Sequence, residues 1–211
     1  MNHAPRGGRT SMSKAVLSMS MSVDGFIAGP HDGPGNGLGD GGHRLHAWFL
    51  PDADTGHQEA VGRLDGVNRE VMDEIMSTGA VVVGRRTFEL AGGWDGDHHD
   101  GVPIFVLSRR RPDSAMQWPG VTYEGDVADA VRAAKDAAGD KDVLVHGALT
   151  ARLALAAGVL DELQIHLVPV LFGKGRRLFE DMRPDHVELE LLRAVAGPGV
   201  QHLRYRVRTE G

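Results

Sequence analysis

The sequence predicts an α/β fold, a three-layer arrangement with a mainly parallel mixed sheet, helices on both faces and a C-terminal antiparallel hairpin. Three observations predict it. The short β-branched runs AVVV (80–83), IFVL (104–107) and VLV (143–145) lack polar alternation, as parallel strands covered on both faces do. Segments of helical apolar spacing lie between such runs. Two alternating stretches, Val187–Val195 and Val200–Val207, flank the turn AGPG, which is the pattern of a hairpin.

The elements follow in order. AVLSMSM (15–21) alternates apolar and small polar side chains and reads as a half-buried strand, after which VDGFIAGP turns the chain. Glycine dominates from Pro30 to Gly42, so a long loop is expected there. LHAWFL (45–50) is apolar, and Pro51–Gly56 is polar. Val67, Val71, Met72, Ile75 and Met76 have helical spacing, with Gly79 suited to the C′ stop. TFELA after Gly84 is a short helix, and Val121–Tyr123 a short strand. Asp126 caps a helix with Val127, Ala130, Val131, Ala134 and Ala138 on its apolar face. A further helix runs from about Ala148 to Ala157 and stops at Gly158. Leu163–Val170 alternates as a strand, with Pro169 pointing to an edge or bulge position.

Length and composition bound the function. With 211 residues the chain makes one domain, expected over 14–211 behind a disordered lead-in at 1–13. Hydrophobic residues at 41% suffice for a core, while a net charge of −6 argues against nucleic acid as a partner. The absence of cysteine excludes disulfides, thiolate metal sites and a cysteine nucleophile. No apolar stretch approaches the roughly 20 residues that span a bilayer, and the N-terminus lacks a signal-like apolar region. A cytoplasmic protein without a membrane partner is expected.

Three strand ends carry residues suited to an anion, and in open α/β sheets ligands gather at such ends. Gly84-Arg85-Arg86-Thr87 follows VVV, Leu107-Ser108-Arg109-Arg110-Arg111 follows IFV, and His146-Gly147-Ala148-Leu149-Thr150 turns a strand into a helix. Glycine permits close approach, while helix N-termini and guanidinium groups favour phosphate. A phosphorylated dinucleotide suits the set, since arginines commonly accept a ribose 2′-phosphate, but the G-x-G-x-x-G fingerprint is absent.

These pieces resemble the dihydrofolate reductase-like superfamily, in the branch of the reductase domain of the bacterial riboflavin-biosynthesis deaminase–reductase. SVDGFIAG (22–29) resembles that branch's opening motif, VVVGRRTFE (81–89) its G-R-x-T cofactor motif, and FVLSR (105–109) its second cofactor strand. Residues 143–179, from VLVHGAL to GKGRRLF, resemble its most specific segment. The resemblance implies NADPH as cofactor and hydride transfer to a C=N or C=O of a small pteridine-like or ribosylaminopyrimidine-like metabolite. It implies Arg85 at the 2′-phosphate, helped by Ser108 and Arg109, and Arg86 and Thr87 at the pyrophosphate. Gly147, Ala148, Leu149 and Thr150 would receive phosphate, and Ala28 the nicotinamide through its backbone. Asp24 would lie at the cofactor–substrate junction, as the candidate catalytic and substrate-binding residue, the alternative being that it only orients the Asp-Gly turn. A stand-alone homodimeric reductase-like domain is implied. His146 departs from the family's usual Gly-Gly, and no acidic residue matches the one folate reductases use to protonate pterin.

Trp48 and Phe49 are either core or a wall of the substrate site, with the wall favoured, and Trp94 either covers that site or packs. WDGDHHDG (94–101) reads as a solvated loop rather than a metal site, because adjacent side chains rarely face one ion. The alternatives are a catalytically silent NADP-binding module and a metal-dependent hydrolase using residues 95–100.

Overall fold

A computed structural model describes residues 13–50, 61–110, 117–182 and 186–208. The lead-in at 1–12, the polar segment Pro51–Gly56 and Arg111 lie outside the described residues.

The strands are β1 (Ala15–Ser22), β2 (Phe26–Ala28), β3 (Ala80–Gly84), β4 (Ile104–Leu107), β5 (Val121–Glu124), β6 (Val143–His146), β7 (Glu162–Val168), β8 (Arg176–Arg177), β9 (Leu189–Gly197) and β10 (Val200–Val207). The α-helices among the described residues that concern the site are α1 (Gly66–Met76), α2 (Arg85–Leu90), α3 (Val127–Ala138) and α4 (Ala148–Ala156). Eight strands form one sheet in the order β5-β4-β3-β6-β1-β7-β10-β9. The first six run parallel, and β10 and β9 add antiparallel pairings at one end. The mixed sheet and terminal hairpin are those expected.

Each parallel strand splits its side chains between two cores. Val82, Val143 and Val145 face α3 and α4, together with Ala130, Val131, Ala134, Ala151 and Ala154. Val81, Val83 and Leu144 face the other way, toward α1 (Val71, Met72, Ile75), Leu45 and Trp48. This two-sided burial is why the strands read as unbroken apolar runs. Asp126 caps α3 by accepting from the Ala128 and Asp129 amides, as its position predicts.

Four details differ from the sequence reading. The segment after β1 contains β2, which pairs with β8 in a separate two-stranded sheet across a distance no local pattern encodes. Gly79 is not the left-handed stop of α1, which ends at Met76 with Ser77 as its cap. Glycine is required there because a Cβ would lie 2.9 Å from Ala138 O, so the reason is close approach. Pro169 lies just beyond β7, an interior strand between β1 and β10, and disturbs no ladder. The hairpin's first strand starts at Leu189 instead of Val187.

Candidate functional site

The carboxyl ends of three adjacent strands stand level. Leu107 on β4 is in register with Gly84 on β3, and Val83 on β3 with His146 on β6. Helices α2 and α4 leave directly from these ends, at Arg85 and Ala148. Two of the three predicted clusters therefore place their glycines and helix starts side by side.

The geometry there has little room for side chains. A Cβ on Gly84 would lie 2.8 Å from Thr150 Oγ1, and one on Gly147 would lie 2.8 Å from Thr87 Oγ1. Gly147 also has φ +95°, which side chains rarely adopt. Thr150 is fully buried, and its hydroxyl has no hydrogen-bond partner. A buried polar atom without a partner is costly, so its place beside two backbone-exposing glycines fits an acceptor brought by a ligand. Ala148 is buried in the same turn, and Leu149 points outward, exposed. These residues fit a phosphate of a dinucleotide.

The basic residues are disposed unevenly. Arg85 is 42% exposed and held by Glu89 one helical turn on, at 3.2 Å. Arg86, expected at a pyrophosphate, lines the cavity and is bonded to Asp32. Its guanidinium donates to Asp32 O (2.7 Å) and to Asp32 Oδ2 (3.0 Å), inside the crevice. Arg176 also binds Asp32, at 2.8 Å and 3.1 Å. Burial would raise the Asp32 carboxyl, but the hydrogen bonds from Arg176 and Arg86 outweigh it and hold it below its ordinary value. Ser108 hydrogen-bonds the backbone of Arg110 at both its N–H and its carbonyl, so it shapes the loop after β4, and Arg109 stays exposed.

Asp24, the expected catalytic residue, is engaged by hydrogen bonds from its own turn and from the loop after β7. It does not line the cavity. Its carboxylate accepts from Ser22 Oγ (2.6 Å) and from the amides of Phe172 and Gly173. The Ser22 bond foremost, with the two amides, lowers its pKa to about 2. A carboxyl so held is ionised at neutral pH and has no proton to donate. It locks the turn after β1 to the loop after β7.

Beside the glycine turns lies a cavity of about 410 Å³. Ala28, Trp48, Phe49, Thr87, Trp94 and His146 line it, so the expected wall residues and the alanine that the resemblance assigns to the nicotinamide share one space. Met19, Leu38, Met72, Ile75 and Leu90 add an apolar lining. Trp94 adopts φ +49° and sets its ring against His98, centroids 4.6 Å apart.

The histidines are what the sequence reading missed. His98 and His99 do not sit in a solvated loop. His99 is buried, and His98 lines the cavity. His98 Nε2 lies 3.1 Å from His146 Nε2, and His98 Nδ1 lies 2.7 Å from His99 Nδ1. His146 Nδ1 donates to Ser18 O (3.0 Å), and burial lowers its pKa to about 4. A second row runs from Ser18 Oγ through His166 (3.0 Å) to His202 (2.8 Å) and on to Asn68 Oδ1 (3.1 Å). Burial likewise drives the pKa of His166 well down and that of His202 to about 4. The one legible signal was His166, one of three buried polar residues, with Glu162 and Gln164, that alternate with apolar ones along its strand. Among the described residues no group of three or more His, Asp or Glu is arranged to hold a metal ion, and no helix is long and apolar enough to cross a membrane.

A mixed sheet with a cleft at its parallel strand ends, bordered by glycine turns and helix starts, defines a fold of the dihydrofolate reductase type. Residues 13–201 match the family model described as RibD C-terminal domain, and the chain belongs to that family. It is 22% identical over 180 residues to the uncharacterized protein YyaP of Bacillus subtilis (strain 168), covering 81% of this chain and 82% of that one. A putative riboflavin biosynthesis protein from Shewanella sp. PV-4 shares the fold at a TM-score of 0.69 and 19% identity, over 93% of this chain and 99% of that one. Dihydrofolate reductase from Enterococcus faecalis, solved with NADP(H), does so at 0.58 and 16%, over 94% and 98%.

Proposed function

We propose that the protein is an NADPH-dependent reductase of a small heterocyclic metabolite. The observation that carries this reading is the buried, partnerless Thr150 hydroxyl between Gly84 and Gly147, at the start of α4 and beside the cavity. Gly84, Gly147, Ala148 and Thr150 would hold a phosphate, Thr87 would border it, and Arg85 and Arg109 would face the 2′-phosphate. Leu107, Ser108 and Leu149 border the same stretch. The nicotinamide of NADPH would supply two electrons as hydride near Ala28. The chain's own residues bind, orient and exclude water.

The lining favours the substrate's class. Trp48, Phe49 and Trp94 offer flat apolar faces, and Arg86 and Arg176 share the single carboxylate of Asp32, which leaves one positive charge in the lining. A planar pteridine-like ring suits the aromatic faces, and the surplus positive charge suits the phosphate of a ribosylaminopyrimidine-like compound. The substrate would be reduced at a C=N or C=O. We further propose a homodimer built on the β9 edge, which exposes Leu189, Leu191 and Leu192.

Titrating the protein with NADPH and NADH, followed by cofactor fluorescence, tests the cofactor. NADPH is expected to bind at least tenfold tighter; no binding, or equal binding, would sink the reading. Screening pteridines for NADPH absorbance loss then tests turnover.

A further inference from the structure

The two histidine rows on the cavity floor meet at Ser18, one at its carbonyl and one at its hydroxyl, and they differ in how many protons they need. In the second row Asn68 Nδ2 donates to Trp48 O and Pro198 O, which fixes its Oδ1 as the acceptor toward His202. His202 then donates from Nε2 and accepts at Nδ1. His166 donates to it from Nδ1 and accepts at Nε2, and the Ser18 hydroxyl donates there. Three hydrogen bonds use one hydroxyl proton and one proton from each of two neutral imidazoles. The row is complete without charge, in keeping with its burial.

The first row ends on a carbonyl oxygen at both sides. His146 Nδ1 faces Ser18 O, and His99 Nε2 faces Thr78 O at 3.2 Å. Between these ends lie His146, His98 and His99, joined ring to ring. Four hydrogen bonds must be filled, and three neutral imidazoles carry only three ring protons. The row is complete when it holds one proton more. Thr78 serves both states. Its hydroxyl lies 2.8 Å from Ile75 O and 3.3 Å from His99 Nε2. With the extra proton present, His99 donates to Thr78 O and the hydroxyl donates to Ile75 O. Without it, the hydroxyl turns to donate to His99.

We propose that His146, His98 and His99 form a proton store that feeds the cavity at the His98–His146 contact. Both rings of that contact line the cavity, and Trp94 packs on both. Shifting one proton across each inner hydrogen bond moves the charge from His99 to His146, and no ring has to rotate. The titratable and charged groups facing the row are His46 from the 3-10 turn at Gly42–His46, His166 from β7, and the Asp32–Arg86–Arg176 cluster across the cavity. Asp95, Asp97 and Asp100 share the row's own loop.

This inference rests on the reductase reading and supplies what that reading lacks, a proton donor. NADPH, when bound, would supply the hydride to the carbon of the C=N or C=O group. The proton goes from the imidazolium to its nitrogen or oxygen. A neutral imidazole would remain on this chain, and it would take up a proton from solvent once the product leaves the cavity.

Nitrogen-15 NMR of histidine-labelled whole protein, without cofactor, decides whether the store exists. At pH 7 the three rings are expected to carry one positive charge together, with His166 and His202 neutral. Thr78→Val removes the donor that serves the neutral form, so the titration midpoint should move up. His99→Phe leaves His146 and His98 with two bonds for two protons, and the charge should vanish. Three neutral rings at pH 7, or a midpoint unmoved by Thr78→Val, overturns the store. For delivery, reduction in the pteridine screen should fall about 10²-fold in His99→Phe, and the wild-type rate should be lost as pH rises through the NMR midpoint, with NADPH affinity kept within twofold. A pH profile unmoved by both variants overturns delivery. Failure of NADPH binding with the charge intact overturns the reductase reading instead.

Discussion

The Thr150 hydroxyl and the Asp24 carboxylate show what one side chain settles. Thr150 is buried without a partner, a state that costs about 1–3 kcal/mol unless a ligand relieves it. Thr150→Val keeps the shape and removes the hydroxyl. The free protein should gain stability or stay level in thermal melts, while NADPH affinity drops roughly 5- to 30-fold, about 1–2 kcal/mol. A melt lowered by several degrees with unchanged affinity would mean the hydroxyl has a structural partner. Asp24→Asn tests the opposite assignment. The folded pKa of Asp24, about 2, lies below its ordinary value of 3.8, so its contribution to stability is full above that value and fades as pH falls toward 2. Asp24→Asn should lower the melting temperature at pH 7 and flatten this acid slope, leaving the pH dependence of turnover near neutrality alone. A change in that neutral profile would return Asp24 to the chemistry.

At the scale of elements, packing explains which parts the sequence disclosed. The runs at 80–83, 104–107 and 143–145 were legible because burial on both faces leaves no alternation to misread. The capped helix α3 was legible because Asp126 and its apolar stripe are local. β2 was not, since its partner β8 lies about 150 residues away and both are very short. The histidine rows were hidden for the same reason: His98, His146, Ser18 and Thr78 come from four separate segments. Adjacent histidines among aspartates look solvated until the fold folds them inward. The row through Asn68 depends on one close approach. A Cβ on Gly197 would lie 1.9 Å from Asn68 Oδ1, and Gly197 does not need a positive φ. Gly197→Ala should therefore push Asn68 off His202 and cost about 1–3 kcal/mol in denaturant unfolding. The ring signals of His202 should shift with it; an unshifted His202 would show that Asn68 does not hold the row.

The whole molecule is a sheet with two edges, and they are finished differently. β5 is a four-residue edge, short enough to offer little template for pairing. β9 is nine residues long and leaves Leu189, Leu191 and Leu192 exposed, Leu191 at 57%. A long apolar edge strand on a protein of net charge −6 invites pairing, because its unpaired amides and carbonyls and its leucines gain the same cover from a second copy. The glycine turns and the cavity sit at the strand ends of β3, β4 and β6, several strands from this edge. Assembly and cofactor binding should therefore separate. Light scattering on the wild-type chain should give twice the monomer mass of 22.6 kDa. Leu191→Lys, placing a charge on that edge, should give monomer with NADPH affinity retained. A wild type that stays monomeric at high micromolar concentration would refute the β9 interface, and a monomeric variant that loses NADPH would tie the edge to the site after all.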